Sequence, residues 1–359
     1  MKILINALSG IGDALMFTPA LALLKKHSPE SIIDIAVMFK PVEDLFRNNP
    51  HVNKVYFIDF LKQSKFKSLK QTLELRKLKY DVSINVYPSN RREYNLVQYL
   101  QGAKVKIAHR YNNYSKSNLD FLNNILIDEV KDRHNVIENF ELVKVAFPGM
   151  NAEETGPLEV YLTRDNADFA EQYFNDNGLN DKLTIGFHAG SATFKGHINK
   201  RWSPVKYASL AKQLVMQYNA RILLFGTEKD VNEMIQTLGG KNVIIPETKN
   251  LMESLALMEK CSLFVSNDSA LMHMAAGLAI PQVAVFAYTN YKELYPWQNR
   301  HIIVRTELDC SPCFFNSPKP VNCIYKGKDE FKCIKLVEVS DVMGACEVLI
   351  EEIPRNVKP

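Results

Sequence analysis

The stretch from Leu263 to Phe286 constrains the fold more than any other part of the chain. Its apolar run Leu263–Val265 predicts a short buried strand, and Val283–Phe286 predicts a second one. Between them, the polar cluster Ser266–Ser269 has the residue types that cap helix N-termini, and the helix Ala270–Gly277 is predicted to follow. Strand, polar turn, helix and strand form the unit of a parallel α/β sheet. Because ligands bind at the carboxyl ends of such strands, we expect the polar turn to hold a ligand.

Length and composition limit the class of protein. A chain of 359 residues predicts two domains. Its hydrophobic content of 46% and charged content of 23% are typical of a soluble globular protein, and a net charge of +4 is too small to indicate a nucleic-acid partner. No apolar run approaches the roughly 20 residues that cross a bilayer. Met1–Ile5 enters a strand pattern without a signal-peptide cleavage region, so we expect a cytoplasmic protein.

The first glycine-rich loop follows the first predicted strand. The strand Lys2–Asn6 leads into a loop that contains Gly10 and Gly12, and a helix is predicted over Ala14–His27. The two glycines allow the backbone to approach a ligand closely at the start of that helix. A complete dinucleotide fingerprint requires a third glycine where Leu15 stands, so a classical NAD site is not predicted.

Two α/β domains of similar type are predicted, with a cleft between them. A segment rich in glycine, proline and acidic residues, Phe147–Pro157, is the best linker, which gives domains of residues 1–157 and 158–359. Further strands are predicted at Lys54–Ile58, Val82–Val86, Val105–Ala108, Thr184–Phe187, Arg221–Phe225 and Val243–Ile245. Helices are predicted at Asp165–Asn177, at Met252–Lys260 and, after the cap Ser203 and Pro204, up to Tyr218.

One segment of the first domain is strongly basic. Between Lys62 and Lys79, seven basic residues face the single acid Glu74, and Arg91 and Arg92 follow the next predicted strand. A solvated helix face is the preferred interpretation of such a run. The alternative is a positive rim that attracts a phosphorylated acceptor or an anionic membrane surface.

Four predicted strand ends carry polar or glycine-rich loops: Gly10–Asp13, His188–Arg201, Gly226–Glu228 and Asn267–Ser269. In an open α/β sheet such ends line one crevice. The cations Lys200 and Arg201 and the helix N-termini suit a diphosphate, whereas carboxylates suit the hydroxyls of a ribose or a sugar. The set of loops therefore indicates a nucleotide-diphosphate ligand.

Three blocks, Asn6–Leu21, His188–Trp202 and Asn267–Phe286, resemble the signature blocks of glycosyltransferase family 9, the ADP-heptose:lipopolysaccharide heptosyltransferases. The resemblance covers nearly the whole chain with the same order and spacing. It implies the GT-B fold: two facing Rossmann-like doubly wound domains, with the acceptor on the first and the nucleotide-sugar donor on the second. It also implies that the last predicted helix, residues 339–352, packs back across the domains.

The resemblance implies roles for single residues. Asp13 matches the proposed catalytic base, Lys200 the lysine that contacts the donor diphosphate, and Glu228 the acid near the adenosine ribose. The block that holds the donor sugar and phosphate is matched by Asp268, Ser269, Ala270, Leu271 and His273. Without the resemblance, Asp13 is interpreted as the N-cap of the first helix, a role compatible with that of a base, and His273 could equally be a packed histidine. Ser191 could donate a hydrogen bond to phosphate or cap a turn, and His188 is interpreted as structural.

The implied reaction is inverting, metal-independent transfer of a sugar, expected to be heptose, from a nucleotide-diphosphate sugar, expected to be ADP-linked. The acceptor would be a hydroxyl of a bacterial surface glycan such as the lipopolysaccharide core, carried on a glycolipid or on a protein. The enzyme would be cytoplasmic or peripheral on the inner face of the membrane. No cofactor is expected for transfer. The alternatives are a nucleotide-sugar epimerase of the same fold and a non-catalytic nucleotide-sugar-binding protein. Departures at Ser269–Ala270 and Ala287–Asn290 lie near the expected donor sugar.

The segment 310–333 contains four cysteines: Cys310, Cys313, Cys323 and Cys333. In a cytosolic chain, four soft ligands can form a tetrahedral zinc or iron site, which we prefer here to free thiols and to disulfides. Some relatives, including the autotransporter heptosyltransferases, have a cysteine quartet in this region that holds iron, although with a different spacing. The two other cysteines, Cys261 and Cys346, lie in apolar contexts that predict core positions.

Overall fold

A computed structural model describes residues 1–112, 118–315 and 319–353. The described residues divide into two compact units, here called unit 1 (Met1–Tyr161) and unit 2 (from Leu162 onward). The linker predicted from the sequence, Phe147–Pro157, lies at the end of unit 1. No helix among the described residues is long and apolar enough to cross a membrane.

Among the described residues each unit contains one six-stranded sheet, and every pair of neighbouring strands is parallel. The strands of unit 1 are β1 (Lys2–Ala7), β2 (Ile32–Val37), β3 (Lys54–Phe57), β4 (Val82–Asn85), β5 (Val105–Arg110) and β6 (Ile125–Asp128). Those of unit 2 are β7 (Thr184–His188), β8 (Arg221–Leu224), β9 (Val243–Ile244), β10 (Leu263–Asn267), β11 (Gln282–Phe286) and β12 (His301–Arg305).

The helices connect these strands. In unit 1 they are α1 (Ile11–Leu15), α2 (Thr18–His27), α3 (Lys40–Phe46), α4 (Lys65–Arg76), α5 (Arg92–Gln101) and α6 (Asn135–Ala146). In unit 2 they are α7 (Arg164–Asp176), α8 (Pro204–Tyr218), α9 (Lys229–Gly239), α10 (Leu251–Glu259), α11 (Ala270–Gly277), α12 (Tyr291–Leu294), α13 (Lys332–Lys335) and α14 (Val339–Glu352).

The strand order is the same in both sheets. It runs β3-β2-β1-β4-β5-β6 in unit 1 and, counted from the opposite edge, β9-β8-β7-β10-β11-β12 in unit 2. This is the doubly wound Rossmann order, in which the direction of winding reverses between the first and the fourth strand. The predicted fold of two Rossmann-like domains is therefore confirmed. The reversal points, β1/β4 and β7/β10, are where such sheets bind ligands.

The central strands of unit 2 are buried along their whole length because helices cover a parallel sheet on both faces. All residues of β7, β10 and β11 are buried. The predicted C-terminal helix is present as α14, which packs against α8 and against β10, β11 and β12. Trp202 is completely buried in this core, and its Nε1 donates to the backbone oxygen of Val337 at 2.9 Å.

One predicted helix is wrong in detail. The sequence predicts a single helix over residues 14–27, but the structure has α1 followed by α2, with a break at Met16–Phe17. Pro19 lies in the first turn of α2, where its missing N–H cannot bond to the carbonyl of Leu15. Thr18 Oγ1 donates to that carbonyl instead, at 2.8 Å. The strands β6 and β12 and the helix α9 were not predicted at all.

Candidate functional site

The reversal point of unit 2 gathers most of the residues predicted to bind the donor. Strand β7 ends at His188, which lies opposite Ser266 in the parallel register with β10. The residues that follow each strand therefore emerge side by side at the carboxyl edge of the sheet. They are joined there by the side chains of Lys200, Arg201 and Glu228, which arrive from neighbouring loops.

Lys200 and Asp268 form the central ion pair. Lys200 Nζ lies 2.6 Å from Asp268 Oδ2, and the two side chains are only 11% and 5% exposed. Thr289 Oγ1 donates to the same carboxylate oxygen at 2.7 Å. Burial acts to raise the pKa of Asp268, but the Lys200 ammonium and the Thr289 hydrogen bond outweigh it, so the net shift of this pKa is downward. The carboxylate is therefore ionised and fixes the lysine in place.

A second group of contacts surrounds Glu228. Its Oε1 accepts from Arg201 Nη2 at 2.9 Å, and its Oε2 lies 3.7 Å from His188 Nε2. The other ring nitrogen, His188 Nδ1, lies 2.9 Å from Ser269 Oγ. Burial acts to raise the pKa of Glu228, but His188 and Arg201 together lower it. His188, interpreted as structural from the sequence, thus links two of the predicted binding residues.

The backbone at this edge leaves no room for larger residues. A Cβ at Gly190 would lie 2.3 Å from the carboxylate atoms of Glu228. Gly226 has φ of +106°, in the region that favours glycine, and a Cβ there would lie 2.6 Å from the ring of His188. Ser191 is held from both sides: its Oγ donates to the His197 carbonyl at 2.9 Å and accepts from Arg201 Nε at 3.1 Å. The hydroxyl predicted to contact phosphate thus bonds within its own loop.

The first turn of α11 contributes Ala270 and Leu271, which are half-buried beside the cap residue Ser269. One turn later, His273 is buried, and in the described structure its Nδ1 has no hydrogen-bond partner. Burial lowers the pKa of His273 to about 4; the nearby Lys200 also lowers it, and Asp268 opposes the shift. The imidazole is therefore neutral near pH 7.

Two residues of this site had no assigned role in the sequence analysis. Asn267 ties the loops together: its Oδ1 accepts from the backbone N–H of Trp202 at 2.9 Å, and its Nδ2 donates to the Gly190 carbonyl at 3.1 Å. Thr289 follows β11 and reaches Asp268. The sequence placed both within segments expected near the ligand, Asn267–Ser269 and Ala287–Asn290, but gave neither residue a role of its own.

The predicted base lies in unit 1, at the reversal point of the other sheet. Asp13 is half-buried in the first turn of α1, and its Oδ2 accepts from the backbone N–H of Gly10 at 3.2 Å. The helix cap is Gly10 rather than Asp13, and Gly12 lies inside α1. Burial raises the pKa of Tyr94; Asp13 raises it further and Arg91 opposes the shift. These three side chains, after β1 and after β4, are thus within electrostatic range of one another.

The four cysteines of the 310–333 segment line one cavity of about 20 Å³, together with Tyr288 and Phe331. They are Cys310, Cys313, Cys323 and Cys333. Burial raises the pKa of Cys333 to about 11, and the neighbouring thiols raise it as well. In the described part of the chain all cysteines are free thiols, and no three His, Cys, Asp or Glu side chains are arranged to hold a metal ion. The predicted metal site stays a prediction.

The duplicated Rossmann order and the C-terminal helix define the architecture of GT-B glycosyltransferases. Residues 68–323 match the family described as "Glycosyltransferase family 9 (heptosyltransferase)". The chain belongs to this family, as its motifs predicted.

Individual relatives agree with this assignment. Lipooligosaccharide heptosyltransferase 2 of Campylobacter jejuni is 24% identical over 325 residues, which cover 87% of this chain and 89% of the relative. The structure of E. coli ADP-heptose lipopolysaccharide heptosyltransferase II has a TM-score of 0.73 at 22% identity, covering 98% of this chain and 99% of that one. E. coli heptosyltransferase WaaC with ADP has a TM-score of 0.67 at 19% identity, covering 100% and 99%. These two structures share the fold of this chain.

Proposed function

We propose that this protein transfers heptose from ADP-heptose to a hydroxyl of a lipopolysaccharide or lipooligosaccharide core, with inversion at the anomeric carbon. The observation that carries the proposal is the buried Lys200–Asp268 pair at the reversal point of unit 2. The relatives named above, described as heptosyltransferases, support heptose and ADP as parts of the donor.

Lys200 is the group that would neutralise the leaving diphosphate. Its ammonium is already desolvated, so its interaction with a phosphate oxygen is stronger than it would be in water. Arg201 is the second cation of the same loop, and its Nη2 is 2.9 Å from Glu228. Because Asp268 and Glu228 position these cations before the donor arrives, little reorganisation is needed when charge develops on the leaving group.

The carboxylates and the start of α11 would select the rest of the donor. Glu228, whose pKa is lowered, is an ionised acceptor for the ribose hydroxyls. Asp268, Ser269, Ala270 and Leu271 would contact the sugar and its phosphate at the N-terminus of α11, where the backbone N–H groups and the helix dipole favour an anion. In this proposal Gly10 and Gly12 keep the loop before Asp13 narrow enough for the ligands to approach.

Asp13 is proposed as the general base. Its carboxylate would take the proton from the acceptor hydroxyl while the hydroxyl oxygen attacks the anomeric carbon. The bond from that carbon to the diphosphate oxygen breaks, and ADP leaves with the electron pair. A positioned base of this kind contributes about 10²–10⁴-fold to the rate. No metal takes part in this scheme, so transfer should persist in EDTA.

The test uses radiolabelled ADP-heptose and a core glycolipid that lacks the acceptor heptose. Wild-type protein should transfer label to the glycolipid, and Asp13→Asn should lower kcat by about 10²-fold or more while leaving ADP binding intact. Asp128→Asn changes an exposed carboxyl of the same unit and serves as the matched control. Interconversion of the donor without acceptor would instead support an epimerase, and donor binding without turnover would support a non-catalytic binding protein.

We also propose that Cys310, Cys313, Cys323 and Cys333 bind a structural zinc or iron ion. The proposal is supported by the cavity that all four cysteines line, because four cysteine thiolates are a ligand set that tetrahedral zinc or iron prefers. Metal analysis of purified protein should give about one zinc or iron per chain. Cys323→Ser should lower this content, whereas Cys261→Ser, at a buried cysteine outside the cavity, should not. Metal-free wild-type protein with full thermal stability would contradict the proposal.

A further inference from the structure

Helix α4 of unit 1 is inverted over most of its length, with polar residues inside and apolar residues outside. Two of its three buried residues are polar, Ser68 and Thr72, and the third is Leu75, whereas Phe66, Leu69 and Leu73 are 79%, 43% and 38% exposed. A surface helix normally turns its apolar residues toward the core and its polar residues toward water. In α4 the buried hydroxyl of Thr72 bonds within the helix, since its Oγ1 donates to the Ser68 carbonyl at 2.8 Å.

Helix α5, which packs against α4, repeats the inversion. Its buried residues include Gln98 and Gln101, neither of which is exposed to solvent, while Leu96 and Tyr99 are 43% and 48% exposed. The buried amides are bonded to unit 1: Gln98 Nε2 donates to the Ser83 carbonyl at 3.0 Å, and Gln101 Nε2 donates to an asparagine of β1 at 2.8 Å. These bonds fix the rotation of the helix, so its apolar residues are held outward.

The basic run found in the sequence lies on and beside α4. All seven of its basic residues are exposed: Lys62, Lys65, Lys67, Lys70, Arg76, Lys77 and Lys79. Glu74 is the single acid in this run. Arg91 and Arg92 are exposed at the start of α5, where the exposed Glu93 pairs with Arg92 at 3.4 Å. We call the exposed apolar and basic residues on and beside α4 and α5 the inverted surface.

We propose that the inverted surface docks on an anionic lipid bilayer. Phe66, Leu69 and Leu73 would enter the boundary between head groups and acyl chains, and the lysines would extend to the lipid phosphates. A second copy of this chain is not the expected partner, because two positively charged surfaces of this kind would repel each other. A purely electrostatic partner would not account for the outward apolar residues. This inference concerns where the protein works, not what it transfers.

The test is co-sedimentation of the full-length protein with vesicles of phosphatidylcholine, alone or mixed with phosphatidylglycerol. We expect binding to the mixed vesicles that weakens as salt is raised, and much less binding to phosphatidylcholine alone. The triple variant Lys65→Glu, Lys67→Glu, Lys70→Glu should reduce partitioning by about 100-fold or more, since each basic residue near the surface contributes about five-fold. Phe66→Ser with Leu69→Ser should also reduce it, by removing the inserted side chains.

The matched control reverses three exposed lysines of unit 2, Lys229, Lys241 and Lys249, to glutamate. It changes the net charge equally and should keep most of the binding. Transfer to a water-soluble acceptor should be unchanged in the α4 variants, which separates this proposal from the proposed function. Equal binding by the α4 variants and the control, or wild-type protein that binds neither vesicle, would overturn it. Self-association that replaces vesicle binding and is lost in Phe66→Ser would overturn it as well.

Discussion

Lys200 Nζ and Asp268 Oδ2 are 2.6 Å apart in a position that water barely reaches. Burying each of these charges costs desolvation free energy, and the attraction between the two charges offsets part of that cost. The pair also joins two separate loops, the one after β7 and the one after β10, across the reversal point of the unit 2 sheet. This arrangement holds a cation at the expected diphosphate position before any ligand binds.

The first prediction is that breaking this pair destabilises the protein. Either Lys200→Met or Asp268→Leu leaves one buried charge without its partner and should lower the free energy of unfolding by about 3–5 kcal/mol. The double variant removes both charges and should recover much of that loss. Urea denaturation of the four proteins gives the coupling energy. Single-variant losses that simply add in the double variant would show that the two side chains do not depend on each other.

Much of the architecture could be predicted because it rests on local patterns. The helix α11 has the predicted bounds, and the predicted cap Ser203 precedes the proline that starts α8. Runs of apolar residues followed by polar loops were sufficient to locate most strands and thus the edge where the site lies. The break between α1 and α2 could also have been predicted from Pro19, which cannot continue a helix that begins several residues earlier.

The contacts within the site could not be predicted in the same way. Thr289 reaches Asp268 because β11 lies next to β10, and strand adjacency is not visible in either segment alone. The three contacts of Asn267 likewise depend on tertiary structure, because they join the end of β10 to both ends of the connection after β7 and to Tyr207 of α8. The inverted surface shows another limit of prediction from the sequence. Its basic residues could be identified from the sequence, but the exposure of Phe66 and Leu69 depends on which side of α4 packs against the rest of unit 1.

The second prediction concerns the space around Glu228. In Gly190→Ala, the new methyl group would lie 2.3 Å from the carboxylate atoms, so Glu228 must move away from Arg201. We expect ADP to bind at least about 10-fold more weakly, because a displaced carboxylate no longer meets the ribose and no longer positions the cation. Isothermal titration with ADP measures this effect. Gly344→Ala makes the same change on α14 in open space and should bind ADP as the wild type does.

The third prediction concerns a buried ionic cluster in unit 1. Glu138 is completely buried and accepts hydrogen bonds from Arg133 Nη2 at 2.6 Å and from the Val130 N–H at 2.9 Å; its Oε2 also lies 2.7 Å from His109 Nε2. Glu138→Ala leaves these groups without their partner and should lower the free energy of unfolding by about 3–5 kcal/mol. Glu141→Ala, which removes a half-buried carboxyl from the same helix, should cost less than about 1 kcal/mol. Similar losses from both variants in urea denaturation would argue against the special role of Glu138.

The fourth prediction concerns pH. The folded protein lowers the pKa of His273 to about 4 from an ordinary 6.5. Between these values the unfolded chain binds a proton that the folded protein excludes, so the free energy of unfolding should fall as the pH drops through this range. At pH 5 the contribution of His273 should be a loss of about 2 kcal/mol relative to pH 7.5.

His273→Gln cannot take up this proton, so its stability should fall less than that of the wild type between pH 7.5 and pH 5. The lowered pKa values of Asp268 and Glu228 act in the same direction, but only below their ordinary values of 3.8 and 4.5, outside the measured range. Parallel curves for wild type and His273→Gln would mean that His273 takes up its proton at the same pH in the folded and unfolded states, which would contradict the lowered pKa of the buried imidazole.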